Sequence, residues 1–190
     1  MMEIILASGS PRRKELLGMF GIPYIVRPAE GEERPPAGLT PGETAEALAR
    51  AKGAEVAARS DADALILSAD TVVELDGRLL GKPGTPERAA EMLRSLSGRT
   101  HRVFTGVCVR RGETILSGYE ETAVRFRPLS EEEIAAYIAT GEPLDKAGAY
   151  GYQGLASIFV EGIEGDFFNV MGLPMCRLSA MLKELGVSLL

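Results

Sequence analysis

The sequence predicts an α/β fold in which helices flank one extended mixed β-sheet and two lobes surround a central cleft. Three observations predict it. The chain opens on an apolar run that passes through a short loop of small residues into a helical pattern. Asp76-Gly77 and Arg111-Gly112 each stand between apolar runs, as the turns of antiparallel hairpins do. Polar clusters near residues 10, 33, 70, 82 and 150 lie far apart in the chain and have to converge to make one site. With 190 residues the chain is long enough for one sizeable core, and residues 1–190 read as a single domain.

The elements follow in order. EIILAS (3–8) is apolar and β-branched, a strand; in SPRRKELLGMF, Ser10 suits a cap, Pro11 the first helical position, and Leu16, Leu17 and Phe20 form an apolar face. YIVRP (24–28) reads as a short strand before a polar loop, AEGEERPPAG, which carries Glu30, Glu32 and Glu33. TPGETAEALARAKGAEVAARS is an alanine-rich helix capped near Thr40. ALILSAD (64–70) is a nearly continuous apolar strand of the buried kind with Asp70 at its carboxyl end, and TVVELDGRLLG then reads as a hairpin. KPGTPERAAEMLRSLSG is a helix with Pro86 and Glu87 in its first turn and Gly98 past its end. Residues 101–129 read as two or three antiparallel strands, and Ser130-x-x-Glu133 is a capping box that starts a helix. DKAGAYGYQG has glycine at every third position from Gly148 to Gly154, too many for a helix. ASIFVEGIEGDFFNV suggests a hairpin and LPMCRLSAMLKELG a closing helix.

Composition narrows the function. Apolar residues make up 45% and charged ones 25%, and no apolar run approaches the roughly 18 residues that a membrane span needs. The basic cluster of the N-terminal segment follows its apolar stretch, the reverse of a secretory signal. Cys108 and Cys176 have no metal-like or disulfide-framework spacing and are expected as buried thiols in a reducing, cytoplasmic setting. A formal charge of -6 argues against a nucleic acid polymer as partner. His101 is the single histidine, so a Ser-His-Asp triad or a multi-histidine zinc site has too little to draw on, and at a strand start among polar residues it reads as structural. Carboxylates, lysines, arginines and a metal are left to do the chemistry.

The candidate groups each have a functional and an ordinary reading. A helix start offers free N–H groups and a positive dipole end, so Ser8, Ser10, Arg12 and Arg13 fit an anion site; the alternative is a capped helix with solvated arginines, although arginine is electrostatically misplaced in a first turn. Asp70 fits a metal ligand or general base and equally an acid that caps the turn at Thr71. GRLLGKP is one residue short of a phosphate-loop motif, so Lys82 is either a point charge on phosphate or a solvated lysine. Lys52 has the same two readings and, in its alanine-rich helix, is expected at the surface. Gln153 offers an amide that can read a base edge, or it belongs to a glycine-rich connection under packing constraint.

Taken together, LASGSPRRKELL, ADTVV, LLGKP, LRSLSGRTHRVFTGV, GEPLDKAGAYGYQG and GDFFNVMGLP strongly resemble the Maf family of nucleoside triphosphate pyrophosphatases, in order and spacing, from residue 5 to about residue 180. The resemblance implies a fold similar to the inosine triphosphatase group and a nucleotide diphosphatase activity. The bond between the α- and β-phosphates would be hydrolysed with a divalent cation, Mg²⁺ or else Mn²⁺ or Co²⁺. By the same resemblance Asp70 is the catalytic aspartate, and Ser8, Ser10, Arg12, Arg13, Lys52 and Lys82 face the phosphates. Glu33, or Glu32 beside it, is the acid that would hold the metal with Asp70. Asp70 as sole base and Asp70 as metal ligand compete, and the preferred reading is a water activated by a metal that both acids hold. Thr71, Gln153 and Arg12 stand where the family's preference for dTTP and UTP is set, while Tyr152 and LASIF depart from the usual residues around the glutamine. The resemblance further implies a homodimer and a role in cleaning the nucleotide pool, with modified pyrimidine nucleotides as further substrates. A nucleotide-binding regulator of cell division and septum formation is the alternative.

Overall fold

The computed structural model describes residues 3–31 and 34–190. Ile4–Leu6 form β1, three buried apolar residues, and the chain then enters helix α1, Pro11–Gly18. Pro11 takes the first helical position, where a missing N–H is no loss. Ser10 stands at the cap, but its hydroxyl makes no capping bond, against expectation. The loop curls back instead, so that the Ser10 N–H donates to Ser8 Oγ at 3.3 Å. Strand β2, Ile25–Val26, runs parallel to β1. Helix α2, Pro41–Ala57, starts at a Thr40/Glu43 capping box, which satisfies two orphan donors reciprocally.

Strand β3 is Leu65–Leu75 and pairs through a tight turn with β4, Arg78–Leu80. Asp76 and Gly77 at that turn have φ of 53° and 77°, the two positive values that a type I′ turn demands. Helix α3, Pro86–Leu96, leads to two long strands, β5, Thr100–Arg111, and β6, Thr114–Phe126. Arg111 pairs with Thr114, so Gly112 and Glu113 make the turn, one residue later than Arg111-Gly112. Helix α4, Glu131–Ala139, starts at the Ser130/Glu133 capping box. The glycine-rich segment is carried by short 3₁₀ turns at Glu142–Asp145, Ala147–Ala149 and Leu155–Phe159. No hairpin forms after it. Val160–Glu164, β7, joins β6 at the sheet edge, and the chain turns through Phe167–Met171, α5, into α6, Met175–Glu184.

The sheet order is β2-β1-β3-β5-β6-β7, with β4 added to β3. β1, β2 and β3 are parallel and every other pairing is antiparallel. This corrects the position of Asp70, which lies in the middle of β3. The strand does not end there because β5 pairs with it without a break from Leu65↔Arg111 to Glu74↔Arg102. The opposite edge of β3 is interrupted. β1 occupies it at Leu65 to Leu67 and β4 at Val73 to Leu75, and between them the edge carries no strand.

Two cores lie along these strands. Leu6, Leu16, Leu17, Leu67 and Leu178 fill the first, and Val73, Leu93, Leu96, Phe126 and Ile134 the second. Asp70 sits between them on the strand that both share. Helix α2 covers the sheet through Ile5, Val56 and Ile66. It lies so close that a Cβ on Gly106 of β5 would fall 2.3 Å from the Ala45 backbone. Cys108 is buried as expected, whereas Cys176 is exposed on α6. Among the described residues no helix is long and apolar enough to cross a membrane.

Backbone cannot yield at 2.3 Å as a side-chain tip can, so Gly106→Ala is expected to lower the unfolding free energy by about 3 kcal/mol. Gly118→Ala, whose Cβ meets only side-chain ends, those of Arg177 and Met181, should cost much less, as urea midpoints of the two variants will show.

Candidate active site

A cavity of about 700 Å³ opens at the interrupted edge of β3. Its walls bring together Ser8, Ser10, Arg12 and Arg13 from the β1–α1 segment, Lys52 from α2, Asp70 and Thr71 from β3, and Lys82 and Gln153 from later loops. Glu33 and its alternative Glu32 lie outside the described residues. The convergence expected from the five polar clusters is thus realised for those at residues 10, 70, 82 and 150.

Asp70 is at the centre, with 8% of its side chain exposed, and forms an ion pair with Lys52 Nζ. Lys52 is correspondingly no surface charge: 20% of its side chain is exposed. The next residue, Gly53, explains this. A Cβ there would lie 2.7 Å from Ser68 Oγ, so a bare glycine lets α2 close on β3, and Lys52 reaches Asp70 two residues along the strand. Ser68 Oγ donates to the Ala49 carbonyl at 2.7 Å and fixes the helix at that height. The loop entering residue 32 is tied to the same helix, since the N–H groups of Glu30 and Gly31 donate to the Glu55 carboxylate at 2.7 and 3.0 Å. Those two bonds hold the Glu55 carboxyl below the usual carboxylate range.

Arg13 organises the opposite wall. Its Nε donates to the Gly172 carbonyl at 2.7 Å, and its two terminal nitrogens donate to Ser8 Oγ and Thr71 Oγ1, each at 3.1 Å. Thr71 Oγ1 is 2.9 Å from Thr105 Oγ1, which donates to the Asn169 carbonyl at 2.8 Å. The Asn169 amide then donates to the Val103 carbonyl and to Thr122 Oγ1. A planar guanidinium with donors in a fixed fork can hold these partners at once, which lysine cannot. Helix α1 has no acid in its first turn and no side-chain cap, so its N-terminal dipole is left for an anion.

The glycine-rich segment forms the remaining wall. Tyr137 Oη donates to Glu142 Oε1 at 2.9 Å and accepts the Gly151 N–H at 3.2 Å, while Glu142 Oε2 accepts the Leu155 N–H. Gly151 is squeezed: a Cβ would come within 3.0 Å of both Arg12 and Lys146. Lys146 is a lining cation that sequence reasoning missed. Its Nζ donates to the Glu142 carbonyl at 2.7 Å and to Asp145 at 2.8 Å. Its position before the first of the spaced glycines was the available signal, but a lysine after an aspartate reads as solvated. At Gln153 the amide Nε2 donates to both carboxylate oxygens of Glu15 at 3.2 Å.

Residues 3–185 match the family model described as Maf, Maf-like protein. The chain belongs to the Maf family. Among Maf relatives, a protein of Pelotomaculum thermopropionicum named dTTP/UTP pyrophosphatase is 50% identical over 192 residues, with both chains fully covered. A protein of the same name from Moorella thermoacetica is 51% identical over 189 residues, covering 98% of this chain and 97% of its own. The Maf chain is similar in fold to the Ham1 protein of Staphylococcus aureus, with a TM-score of 0.54 at 15% identity over 96% of this chain and 98% of that one. For the HAM1 protein of Coxiella burnetii the TM-score is 0.53 at 18% identity, over 97% and 100% of the two chains. The inosine triphosphatase-like fold expected from the Maf resemblance is borne out.

His101 supports this Maf cavity from behind. It is not among polar residues but 1% exposed, edge-on to Phe126 and Tyr150, with Nε2 2.7 Å from the hydroxyl of Tyr150, a lining residue. Burial lowers its pKa from 6.5 to about 4. Between these values the unfolded chain binds the proton and the folded chain does not. The stability is therefore present above pH 6.5 and lost as the pH falls to 4, by about 3 kcal/mol. Unfolding free energies across pH 7 to 4.5 should show this loss, and His101→Gln should flatten it.

Proposed function

We propose that the protein hydrolyses dTTP and UTP to the nucleoside monophosphate and pyrophosphate, and that it cleans the nucleotide pool. The observation that carries this reading is one cavity in which Arg12, Arg13, Lys52, Lys82 and Lys146 surround the buried Asp70. A triphosphate brings about four negative charges, which such a set of cations offsets and a lone phosphate would not require. The names of the full-length relatives support the same substrates.

In the reaction water attacks the α-phosphorus, and the bond from that phosphorus to the oxygen bridging to the β-phosphate breaks. Asp70 orients the attacking water, whose proton passes to solvent, and Lys52, already paired with Asp70, offsets the charge at that point. Arg13 is held rigid by Ser8, Thr71 and Gly172, so its donors are preorganised for phosphate oxygens. Lys82 and Lys146 stabilise the charge that develops on the leaving pyrophosphate.

A divalent cation belongs to the same proposal. Among the described residues no group of three or more histidines, cysteines and acids could hold one alone. Mg²⁺ in nucleotide sites is bound by one or two carboxylates together with the substrate's own oxygens, and Asp70 with Glu33 fits that donor set. When bound, the ion supplies positive charge on the phosphate oxygens and lowers the pKa of a water. A homodimer and a cytoplasmic location complete the proposal and are checked by sedimentation and by cell fractionation.

Incubation with UTP and Mg²⁺ should yield UMP and pyrophosphate by chromatography, and a chelator should abolish turnover. UDP and orthophosphate would overturn the reading. Asp70→Asn should lower kcat by about 10²- to 10⁴-fold while calorimetry still detects nucleotide binding.

A further inference from the structure

Two side chains behind the glycine-rich wall hold it in place, and neither lines the cavity. The turn from Gly151 to Gly154 lies outside helix and strand and is closed by one backbone bond of its own, from the Gly154 N–H to the Gly151 carbonyl at 3.0 Å. Both ends of that turn are held by one hydrogen-bonded pair. Tyr137 Oη, from α4, accepts the Gly151 N–H at 3.2 Å and donates to Glu142 Oε1 at 2.9 Å, and Glu142 Oε2 accepts the Leu155 N–H at 3.1 Å. The carboxylate has room only because Gly154 is bare: a Cβ there would fall 2.3 Å from Glu142 Oε1. Tyr137 is 4% exposed, and burial, then the bond to Glu142, push its hydroxyl above the ordinary tyrosine range and keep it a donor.

Three cations of the cavity rest on the same segment. A Cβ on Gly151 would come within 3.0 Å of the Arg12 guanidinium and of the Lys146 stem, so the turn packs against both. Lys146 Nζ donates to the Glu142 carbonyl at 2.7 Å. The loop bearing Lys82 is tied on by the Gly148 N–H to the Gly81 carbonyl and the Gly84 N–H to the Leu144 carbonyl, each at 3.2 Å.

We propose that Tyr137 and Glu142 are positioning residues: their pair holds the turn folded against the cavity and so sets where Arg12 and Lys146 meet the triphosphate. The proposal rests on the triphosphate reading above. A hydroxyl that donates to a carboxylate makes a charge-assisted bond, stronger than the neutral ones a short turn makes for itself. Without the hydroxyl the buried Gly151 N–H loses its acceptor and one oxygen of Glu142 its donor, so the turn swings out to water. A nucleotide then has to order the turn again as it binds. That cost falls on binding and leaves the bond-breaking step alone, because the cations of the filled cavity regain their places.

The test measures kcat and KM for UTP with Mg²⁺, by release of pyrophosphate, in the unaltered protein, Tyr137→Phe, Glu142→Ala and Glu142→Gln. Tyr137→Phe keeps its ring edge-on to Phe159 and should raise KM about tenfold while kcat changes less than about threefold. Glu142→Ala should do the same. In Glu142→Gln the amide can donate to Tyr137 Oη and accept from the Leu155 N–H, so KM should return to within about threefold of the unaltered value. A merely structural role gives another pattern, since a smaller folded fraction lowers the apparent kcat and leaves KM unmoved. KM unchanged in Tyr137→Phe or in Glu142→Ala, or raised as much by Glu142→Gln as by Glu142→Ala, overturns the proposal while turnover by the unaltered protein leaves the triphosphate reading standing. Failure of the unaltered protein to release pyrophosphate from UTP overturns that reading itself, and the proposal with it.

Discussion

The ladder between β3 and β5 is the constraint on which the rest of the structure depends. It runs unbroken from Leu65↔Arg111 to Glu74↔Arg102, and it ties two cores that would otherwise be separate bodies. A strand hydrogen-bonded along its whole length on one edge can be left unpaired for a few residues on the other without losing its course. That is how a carboxylate comes to stand in the middle of a buried strand beside an open cavity. The burial in turn demands a partner of opposite charge, because an uncompensated charge at such a position is costly. Lys52 supplies it, and only the close seating of α2, through Gly53 on Ser68 and Ala45 on Gly106, brings the lysine near enough.

The second wall obeys a different logic. Here the ordering comes from hydrogen bonds to neutral acceptors: Arg13 to Ser8, Thr71 and Gly172, then Thr71 to Thr105 and Thr105 to Asn169. The chain of bonds runs from the cavity across the sheet, so the orientation of one guanidinium is fixed by residues from the β1–α1 loop, β3, β5 and α5 together. Cation and carboxylate are thus each positioned by several elements. The geometry between them is a property of the whole fold.

Much of this was legible in the sequence, and the failures have physical causes. Both capping boxes, the Asp76-Gly77 turn and most of the helices follow from local rules that neighbours in the chain satisfy among themselves. The positions of Asp70 and Lys52 do not. ALILSAD and TVVEL look like two strands because Asp and Thr interrupt an apolar run, and only the partner strand β5 makes them one. Lys52 looks solvated because its burial comes from a neighbour without a side chain. The hairpin expected at 156–170 failed because its second half turns into α5 and its first half pairs with β6. The candidate site was readable as residue types, from the doubled arginines, the lysines and the glycine-spaced loop, and through the family resemblance. That Lys146 joins them was hidden, since its fate depends on the folding back of Glu142 and Asp145 around it.

The parallel pairing of β1 with β3 has a consequence for the order of events in folding. The β3, β4, β5 and β6 strands pair antiparallel, close to one another in the chain. Ile5 meets Ile66 only after about sixty intervening residues have been closed into a loop. The nucleus of lowest entropic cost is therefore the antiparallel meander, and the N-terminal strand docks onto it late. Ser8 and Arg13 arrive with that strand, so the chain acquires a folded scaffold before it acquires the means to grip an anion.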